Sequence, residues 1–416
     1  MIRRIRSTIG YGLHVRPWIT GHTRFLHRQL TNQHTEPPAT SDEEHLRATA
    51  EWLAAAQDSQ ADGGISGRYK LHSGWSSSYP ETTGYSIPTL LALADHWQEP
   101  IWKERAQKAI TFLLQVQLPD GAFPGGEVAE NLVNPSPFNT GQILNGLTSW
   151  FRATGDESVF ASAGRAAQWL IGMQDDDGVY RRHFYMNQPS TYSTHLTCWL
   201  AEYGQVACDE PSLQTASRHL DWALQQQDKD SGWFDFAGFT EAQHEQRIAY
   251  THTIAYTIWG VLFMGIALSR KDAIDAATFA AEGVMRRLEL SKRLPGVLNH
   301  KWQAVEEPQC LTGNAQMALI WFKLSMVTGD PRFANAALKA LDLVRRTQDL
   351  ENPNRSLRGG VAGSDPVWGS YIPNALPNWA AKFFIDALLS KQEFLQAIAT
   401  AGSPPTPGSD FRAVPS

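Results

Sequence analysis

Apolar residues along this chain recur at the three-to-four-residue spacing of amphipathic helices, in segments separated by polar, glycine-rich stretches. Ser41-Asp42-Glu43-Glu44 opens one such segment through Leu46, Trp52 and Leu53, and Asp330-Pro331 opens another through Phe333, Ala337, Leu338, Leu341 and Leu343. Both openings read as helix starts. A cap oxygen satisfies an unpaired N–H, an acidic first turn suits the positive end of the dipole, and an early proline forfeits no bond. The most apolar segment, Ile254 to Leu268, carries Tyr256, Thr257 and Gly260. It falls short of the roughly 18 apolar residues that span a bilayer, so it reads as a buried helix and no transmembrane segment is expected.

The helical segments share two punctuation marks. Helices end on a glutamine followed by a turn: Gln57 with Asp62-Gly63-Gly64, Gln117 with Asp120-Gly121, Gln174 with Asp177-Gly178, Gln227 with Asp230 and Gly232, and Gln348 with Gly359-Gly360. A degenerate copy runs from Leu288 to Gly296. After each loop the next helix opens on Thr83-Gly84, Thr140-Gly141, Thr194-His195, Thr251-His252, Thr312-Gly313 and, loosely, Asn374-Ala375. The marks return about every 58 residues, which predicts an all-α repeat architecture of six helical hairpins over residues 41–392. A closed ring of such units can reach this length as one domain, because each unit contacts its neighbours.

Loop lengths pick out one end of that ring. The connections from outer to inner helix are long, over residues 58–82, 118–139, 175–193, 228–250, 292–311 and 349–373. The returns are short, as in Thr154-Gly155-Asp156, Arg270-Lys271-Asp272 and Thr328-Gly329-Asp330. All long loops and all inner-helix N-termini therefore meet at one mouth, where long loops imply function. Converging N-termini favour an anionic group on a bound ligand. The loops also hold Trp75, Tyr79, Phe123, Tyr180, Phe184, Tyr185, Trp233, Phe234, Phe236, Trp302, Trp368 and Tyr371. Such rings stack on sugars or on isoprenoid cations, and they also fill a wide toroid core.

Composition narrows the function classes. A chain of 416 residues with 42% hydrophobic and 19% charged content is globular, and a net charge of -6 leaves no basic footprint for nucleic acid. Cys198, Cys208 and Cys310 lack metal or redox spacing, which makes a reducing cytoplasm the default compartment. His195 and Cys198 lie one turn apart without a third ligand, so neither a metal nor another cofactor is expected. Residues 1–40 form a basic extension with Arg3, Arg4, Arg6, Arg16, Arg24 and Arg28, packed on or hanging from the ring; a transit peptide is the alternative for a eukaryotic source. Residues 393–416, with Pro404, Pro405, Pro407 and Gly408, read as a disordered tail.

Comparing the repeats with one another locates candidate chemistry. Where three inner helices open on Gly84, Gly141 and Gly313, two carry His195 and His252. Imidazoles at helix N-termini are kept neutral, ready to accept or donate a proton. Tyr192, Tyr250 and Tyr371 stand at loop-to-helix junctions, with Arg247 just before Tyr250. A group that neutralises a carboxylate and a base at the adjacent carbon are what uronate proton abstraction needs. Trp75, Trp233, Trp302, Trp368, Asn139 and Asn378 complete the expected sugar contacts. Glycoside hydrolysis instead needs two carboxylates roughly 5–10 Å apart. Glu81, Asp120, Asp235, Glu306, Glu307 and Asp365 are available, but no pair among them stands out.

The Gln-x-x-Asp-Gly punctuation and paired helices resemble the (α/α)6 toroids. That group includes squalene and terpene cyclases, protein prenyltransferase β-subunits, N-acylglucosamine 2-epimerases, unsaturated glucuronyl hydrolases and polysaccharide lyases. Three C-terminal stretches are similar to toroid proteins encoded with bacterial exopolysaccharide genes: Thr251 to Tyr256, Cys310 to Gln316, and Gly369 to Phe384. The resemblance implies a toroid and leaves the reaction open. Against the cyclase acid motif, Asp175-Asp176-Asp177-Gly178 reads as an ordinary repeat turn. Three functions follow. The first is an enzyme acting on an anionic, uronate-type oligo- or polysaccharide or its precursor, by lyase or epimerase proton abstraction or by hydrolysis. The second is isoprenoid cyclisation or prenyl transfer, and the third a non-catalytic glycan-binding scaffold.

Overall fold

The computed structural model describes residue 12 and residues 14–31, 40–128 and 134–401. Expectations for Arg3, Arg4, Arg6 and the prolines after residue 401 lie outside the described residues.

The six hairpins are present. Outer helices are α2 (Asp42–Asp58), α4 (Pro100–Val116), α6 (Glu157–Met173), α8 (Glu210–Gln225), α11 (Lys271–Ser291) and α13 (Pro331–Arg345). Inner helices are α3 (Pro80–Trp97), α5 (Pro137–Thr154), α7 (Thr194–Ala207), α10 (Thr251–Ala267), α12 (Leu311–Thr328) and α14 (Asn378–Ala401). Inner helices pack in sequence, α3 on α5, α5 on α7, α7 on α10, α10 on α12, α12 on α14 and α14 back on α3, which closes the ring. Their environment explains their composition. In α12 every residue from Leu311 to Ser325 is buried, so no polar face remains. Outer helices keep one: α6 buries Val159, Ala163, Ala166, Ala167 and Leu170 at helical spacing and turns its charged residues to solvent.

The glutamine punctuation is a staple between successive outer helices. Gln57 Nε2 donates to the Gly63 carbonyl in its own turn and to the Arg105 carbonyl on α4, both at 3.0 Å. Gln117 does the same to Gly121 and to Ser162 on α6, Gln174 to Gly178 and to Thr215 on α8, and Gln227 to Gly232 and to Ala276 on α11. At the seam Gln348 reaches Gly359 and the Thr49 hydroxyl on α2. Each amide pairs acceptors whose loss of partner costs roughly 1–3 kcal/mol when buried. The turn glycines are required twice over. Gly121 has φ +97°, and a Cβ there would sit 2.5 Å from the Arg165 carbonyl oxygen.

The long loops carry strands of their own. Two antiparallel sheets tie them together. One has the order β2 (Gly74–Trp75), β1 (Arg68–Lys70), β7 (Ala375–Pro377), and joins the first loop to the last across the seam. The other runs β3 (Ile248–Tyr250), β4 (Pro295–Asn299), β5 (Ala304–Cys310), β6 (Ser364–Asp365). The degenerate fifth repeat, which lacks the glutamine staple, is the one whose loop supplies β4 and β5.

Residues near both ends of the described chain pack on the ring. Helix α1 (His22–Thr31) buries His22, Phe25, Leu26 and Gln29. Its Arg24 pairs with Asp349 at 3.0 Å, its Gln29 accepts the Val367 N–H, and His22 meets the Tyr69 hydroxyl at 3.1 Å. It thus straps the seam between first and last loops. The tail expected from residue 393 is helical at its start. Helix α14 continues to Ala401, because Phe394 is buried against Phe322 with ring centroids 5.5 Å apart. Among the described residues no helix is long and apolar enough to cross a membrane, and no cluster of three metal-ligating side chains exists.

Candidate active site

The mouth at the inner-helix N-termini opens into a cavity of about 740 Å³. Its wall comes from the first two turns of α3, α5, α10 and α14 and from the loops that precede α3, α5, α7, α10 and α14. Tyrosines dominate it: Tyr79, Tyr85, Tyr192, Tyr250, Tyr256 and Tyr371. Arg68, Asn139 and Gln243 add polar groups, and Phe138, Phe184, Phe239 and Trp379 add apolar faces.

Two side chains in this wall have opposed titration. Glu81, in the first turn of α3, is 7% exposed, and among the described residues it is the one carboxylate lining the cavity. A helix N-terminus favours the anion. Burial outweighs that here: desolvation pushes the Glu81 carboxyl up to about 7, against the hydrogen bond from the Tyr79 hydroxyl. The Tyr79 phenol is itself held well above its usual range by burial and by the Glu81 charge, with Asn139 as a second partner. A carboxyl at this value is half protonated at neutral pH and can serve as a general acid.

His252 is the counterpart. Burial pushes its imidazole down to about 4, although the Gln316 hydrogen bond works the other way. It is therefore neutral at pH 7. Its Nδ1–H donates to Gln316 Oε1 at 2.9 Å, which leaves Nε2 as the lone-pair atom. The ring lies against Tyr256 and Tyr371, with centroids at 4.3 and 5.2 Å. Tyr256 also feels the Glu81 charge and bonds to Tyr85, so it adjoins both groups. Tyr371 is fixed by a bond from Trp379 Nε1 at 2.9 Å.

Of the residues expected from sequence, His252, Tyr192, Tyr250, Tyr371 and Asn139 share this cavity. The others do not line it. His195 lies behind the wall: it is buried, bonds to Gln142 at 2.9 Å and packs against Tyr256, with ring centroids 4.1 Å apart and planes tilted by 36°. Arg247 is committed to Asp228 and Asp235 at 2.9 and 2.7 Å. Trp233 and Trp302 pack on each other, and Trp302 Nε1 donates to the Ser231 carbonyl. Trp75 packs between Trp52 and Tyr69, while Trp368 is 38% exposed on the surface. Asn378 is a buried strut that donates to the Ser66 carbonyl and the Thr82 hydroxyl. Aromatic or charged identity points these side chains to the mouth, but their contacts hold its loops together.

Glu81 is one acid among six in sequence. The rest are engaged elsewhere or face away: Asp120 accepts from Trp169, Asp235 holds Arg247, Glu306 takes the Ser370 hydroxyl, and Asp365 is bonded by Gln309 and Arg293. A usable signal exists. Two residues before each Thr-Gly or Thr-His step stand Glu81, Phe138, Tyr192, Ala249 and Cys310, and only one of them is acidic. The triad Asp175-Asp176-Asp177 is a turn, as expected: Arg181 clamps Asp175 and Asp177, and Asp177 accepts the Val179 N–H.

Known proteins share this architecture. The squalene-hopene cyclase C-terminal domain family matches residues 80–273. An unsaturated glucuronyl hydrolase specific for heparin superposes with a TM-score of 0.67 at 15% identity, over 86% of this chain and 99% of that one. The cellobiose 2-epimerase of Bacillus thermoamylovorans B4167 gives 0.65 at 13% identity, over 83% and 98%. A glycosyl hydrolase family 88 protein from Bacteroides vulgatus gives 0.62 at 10% identity, over 85% and 100%. No curated protein sequence matches the chain. At these identities the likeness speaks for the fold.

Proposed function

From the premise that this chain is an (α/α)6 toroid, in a superfamily with terpene-cyclase-like and glycan-active members, we propose that it is a carbohydrate-active enzyme that moves a proton at a carbon of a uronate-type sugar, with Glu81 as acid and His252 as base. The observation that carries this reading is the pairing, in one tyrosine-lined cavity, of a carboxyl raised to about 7 with an imidazole lowered to about 4. Groups whose environments drive their titration apart mark acid and base.

The chemistry follows from the donors present. His252 Nε2 takes the proton from the carbon next to the sugar carboxylate. Protonated Glu81 then returns a proton to that carbon from the opposite face, giving an epimer, or to the departing glycosidic oxygen, giving an unsaturated product. Arg68 replaces Arg247 as the carboxylate-neutralising group. It lines the cavity, with its guanidinium held by Glu127 at 2.9 Å and 5.6 Å from the Trp379 ring centroid. The tyrosine hydroxyls and Asn139 suit a hydroxyl-rich ring. Hydrolysis by two carboxylates lacks its second acid among the described residues of this wall.

Isoprenoid cyclisation is the second reading, favoured by the family match and by an aromatic cavity with a single acid among the described residues. Acid strength weighs against it. A carboxyl near 7 is a weak proton donor towards an unactivated double bond, yet suits an oxygen or a carbanion. The experiment is turnover of uronate-containing oligosaccharides in heavy water. Deuterium at the sugar carbon, or an unsaturated uronate chromophore, supports the proposal. Cyclised product from a polyprenyl substrate with no change in any sugar would overturn it.

A further inference from the structure

A row of aromatic rings joins the buried part of the large cavity to its rim, and the proton transfer proposed above uses only the inner end. His252 meets Tyr371 with centroids 5.2 Å apart, Tyr371 meets Tyr250 at 5.4 Å, Tyr250 meets Phe239 at 6.1 Å, and Phe239 meets Tyr185 at 6.0 Å. All five side chains line the same cavity. Exposure rises along the row: His252 and Tyr371 are buried, Tyr250 and Phe239 are half-buried, and Tyr185 is 58% exposed. The row is longer than one sugar ring. The cavity, at about 740 Å³, is also larger, within the range that encloses a drug-sized ligand.

The loop before α7 is built to hold Tyr185 at the rim. Its neighbour Phe184 is buried, with ring contacts to Phe138 at 6.0 Å and Tyr192 at 5.5 Å. The backbone takes left-handed values on both sides of Tyr185, φ +59° at His183 and +54° at Met186. Residues other than glycine adopt these values rarely, and such outliers persist where surrounding contacts fix them. Here the Asn187 N–H donates to the Phe184 carbonyl at 2.9 Å, and Arg182 donates to the Gly172 carbonyl on α6 at 3.0 Å. The exposed ring is therefore held in place by its neighbours. Its exposure selects the class of occupant. A ligand seated on Tyr185 keeps its outer face in water, where a polyene gains little. A sugar ring suits that position, because its C–H face covers the aromatic ring while its hydroxyls stay hydrated.

We infer that Tyr185 forms a subsite for a further sugar ring of the same glycan, so that the substrate is an oligosaccharide with at least one residue beyond the uronate at Glu81 and His252. The inference rests on the reading of the large cavity as a uronate site. The probes are methyl β-D-glucuronide and glucuronate-containing di- and tetrasaccharides, titrated into the full chain by calorimetry, with farnesyl diphosphate as the isoprenoid counterpart. The tetrasaccharide is expected to bind about tenfold or more tightly than the methyl glycoside. Tyr185→Ala is expected to remove about fivefold or more of that gain and to leave the methyl glycoside within about twofold, while Tyr185→Phe keeps the gain. An exposed side chain leaves no core cavity when truncated, so the variant folds. Equal affinity for methyl glycoside and tetrasaccharide, a tetrasaccharide affinity unmoved by Tyr185→Ala, equal weakening of both ligands, or no binding of any saccharide would overturn the inference. So would farnesyl diphosphate binding that depends on Tyr185. Length-dependent binding without deuterium exchange leaves the subsite standing and removes the proton transfer. Exchange into methyl glucuronide without length dependence does the reverse, so the two failures are distinguishable.

Discussion

His195 and His252 occupy the same register at the start of neighbouring inner helices, and the structure treats them alike in every local respect. Both are buried, both are driven towards the neutral form by desolvation, and both give Nδ1 to a glutamine oxygen at 2.9 Å. They differ in what lies in front of them. His252 faces the cavity, whereas His195 is covered by the Tyr256 ring 4.1 Å away. Register along a repeat therefore finds the mouth of the ring, but depth into the cavity is set by the side chains of the next helix.

The largest effect that tests this contrast belongs to Glu81, whose charge acts on Tyr256, the ring that both histidines contact. Glu81→Gln keeps shape and removes the proton donor, so turnover is expected to fall by about 10³-fold, within the range of general acid catalysis, while substrate affinity changes little. The wild-type rate is expected to decline as pH rises through about 7, where Glu81 loses its proton, and as pH falls through about 4, where His252 gains one. A Glu81→Gln variant of normal rate, or an unaltered alkaline limb in that variant, would remove Glu81 from the chemistry. Stability carries the same signature. The folded-state value lies above the unfolded one, so the contribution is complete below about 4.5 and lost as pH rises through about 7. The wild type should lose on the order of 3 kcal/mol relative to Glu81→Gln across that window, read from denaturant midpoints.

The histidines themselves come next. His252→Asn is expected to cost about 10²-fold in turnover, because a positioned base is gone. His195→Asn is expected to cost about tenfold or less, through looser packing of Tyr256, and to leave the acidic limb of the pH profile where it was. Equal losses in the two variants would erase the distinction between wall and backing. A larger loss at His195 would reverse it.

The same contrast explains what is legible in the sequence. The scaffold is, because the staple that joins outer helices uses one residue type at one place, the end of the helix before a glycine turn: Gln57, Gln117, Gln174, Gln227 and Gln348 each reach a turn carbonyl and the neighbouring helix. The mouth is only partly so. Its contacts are long-range and irregular, as when β1 pairs with β7 across most of the chain and Asn378 braces the first loop. Nothing local marks Trp302 as a strut against Trp233, or Arg247 as spent on Asp228 and Asp235. Glu81 is recoverable in principle from its departure at a repeat position, by the logic that leads to the histidines. It is obscured because its counterparts in that register are apolar or aromatic and carry no shared motif.

The smallest effects separate scaffold from site most cleanly. Gln117 bridges Gly121 and Ser162, and its Oε1 also receives the Ser162 hydroxyl and Arg165, yet it lies outside the cavity wall. Gln117→Leu strands two backbone carbonyls and should lower unfolding stability by about 2 kcal/mol with turnover of the folded fraction within about twofold. Arg68→Met should show the converse: stability nearly unchanged, because its pair with Glu127 is partly exposed, and KM for a uronate substrate raised about tenfold with kcat preserved, as expected when binding common to ground and transition states is lost. Urea midpoints and steady-state kinetics on the two variants resolve the pair. If Arg68→Met leaves KM unaltered, the anionic group is read elsewhere in the wall, and a carboxylate on the substrate loses its principal physical support.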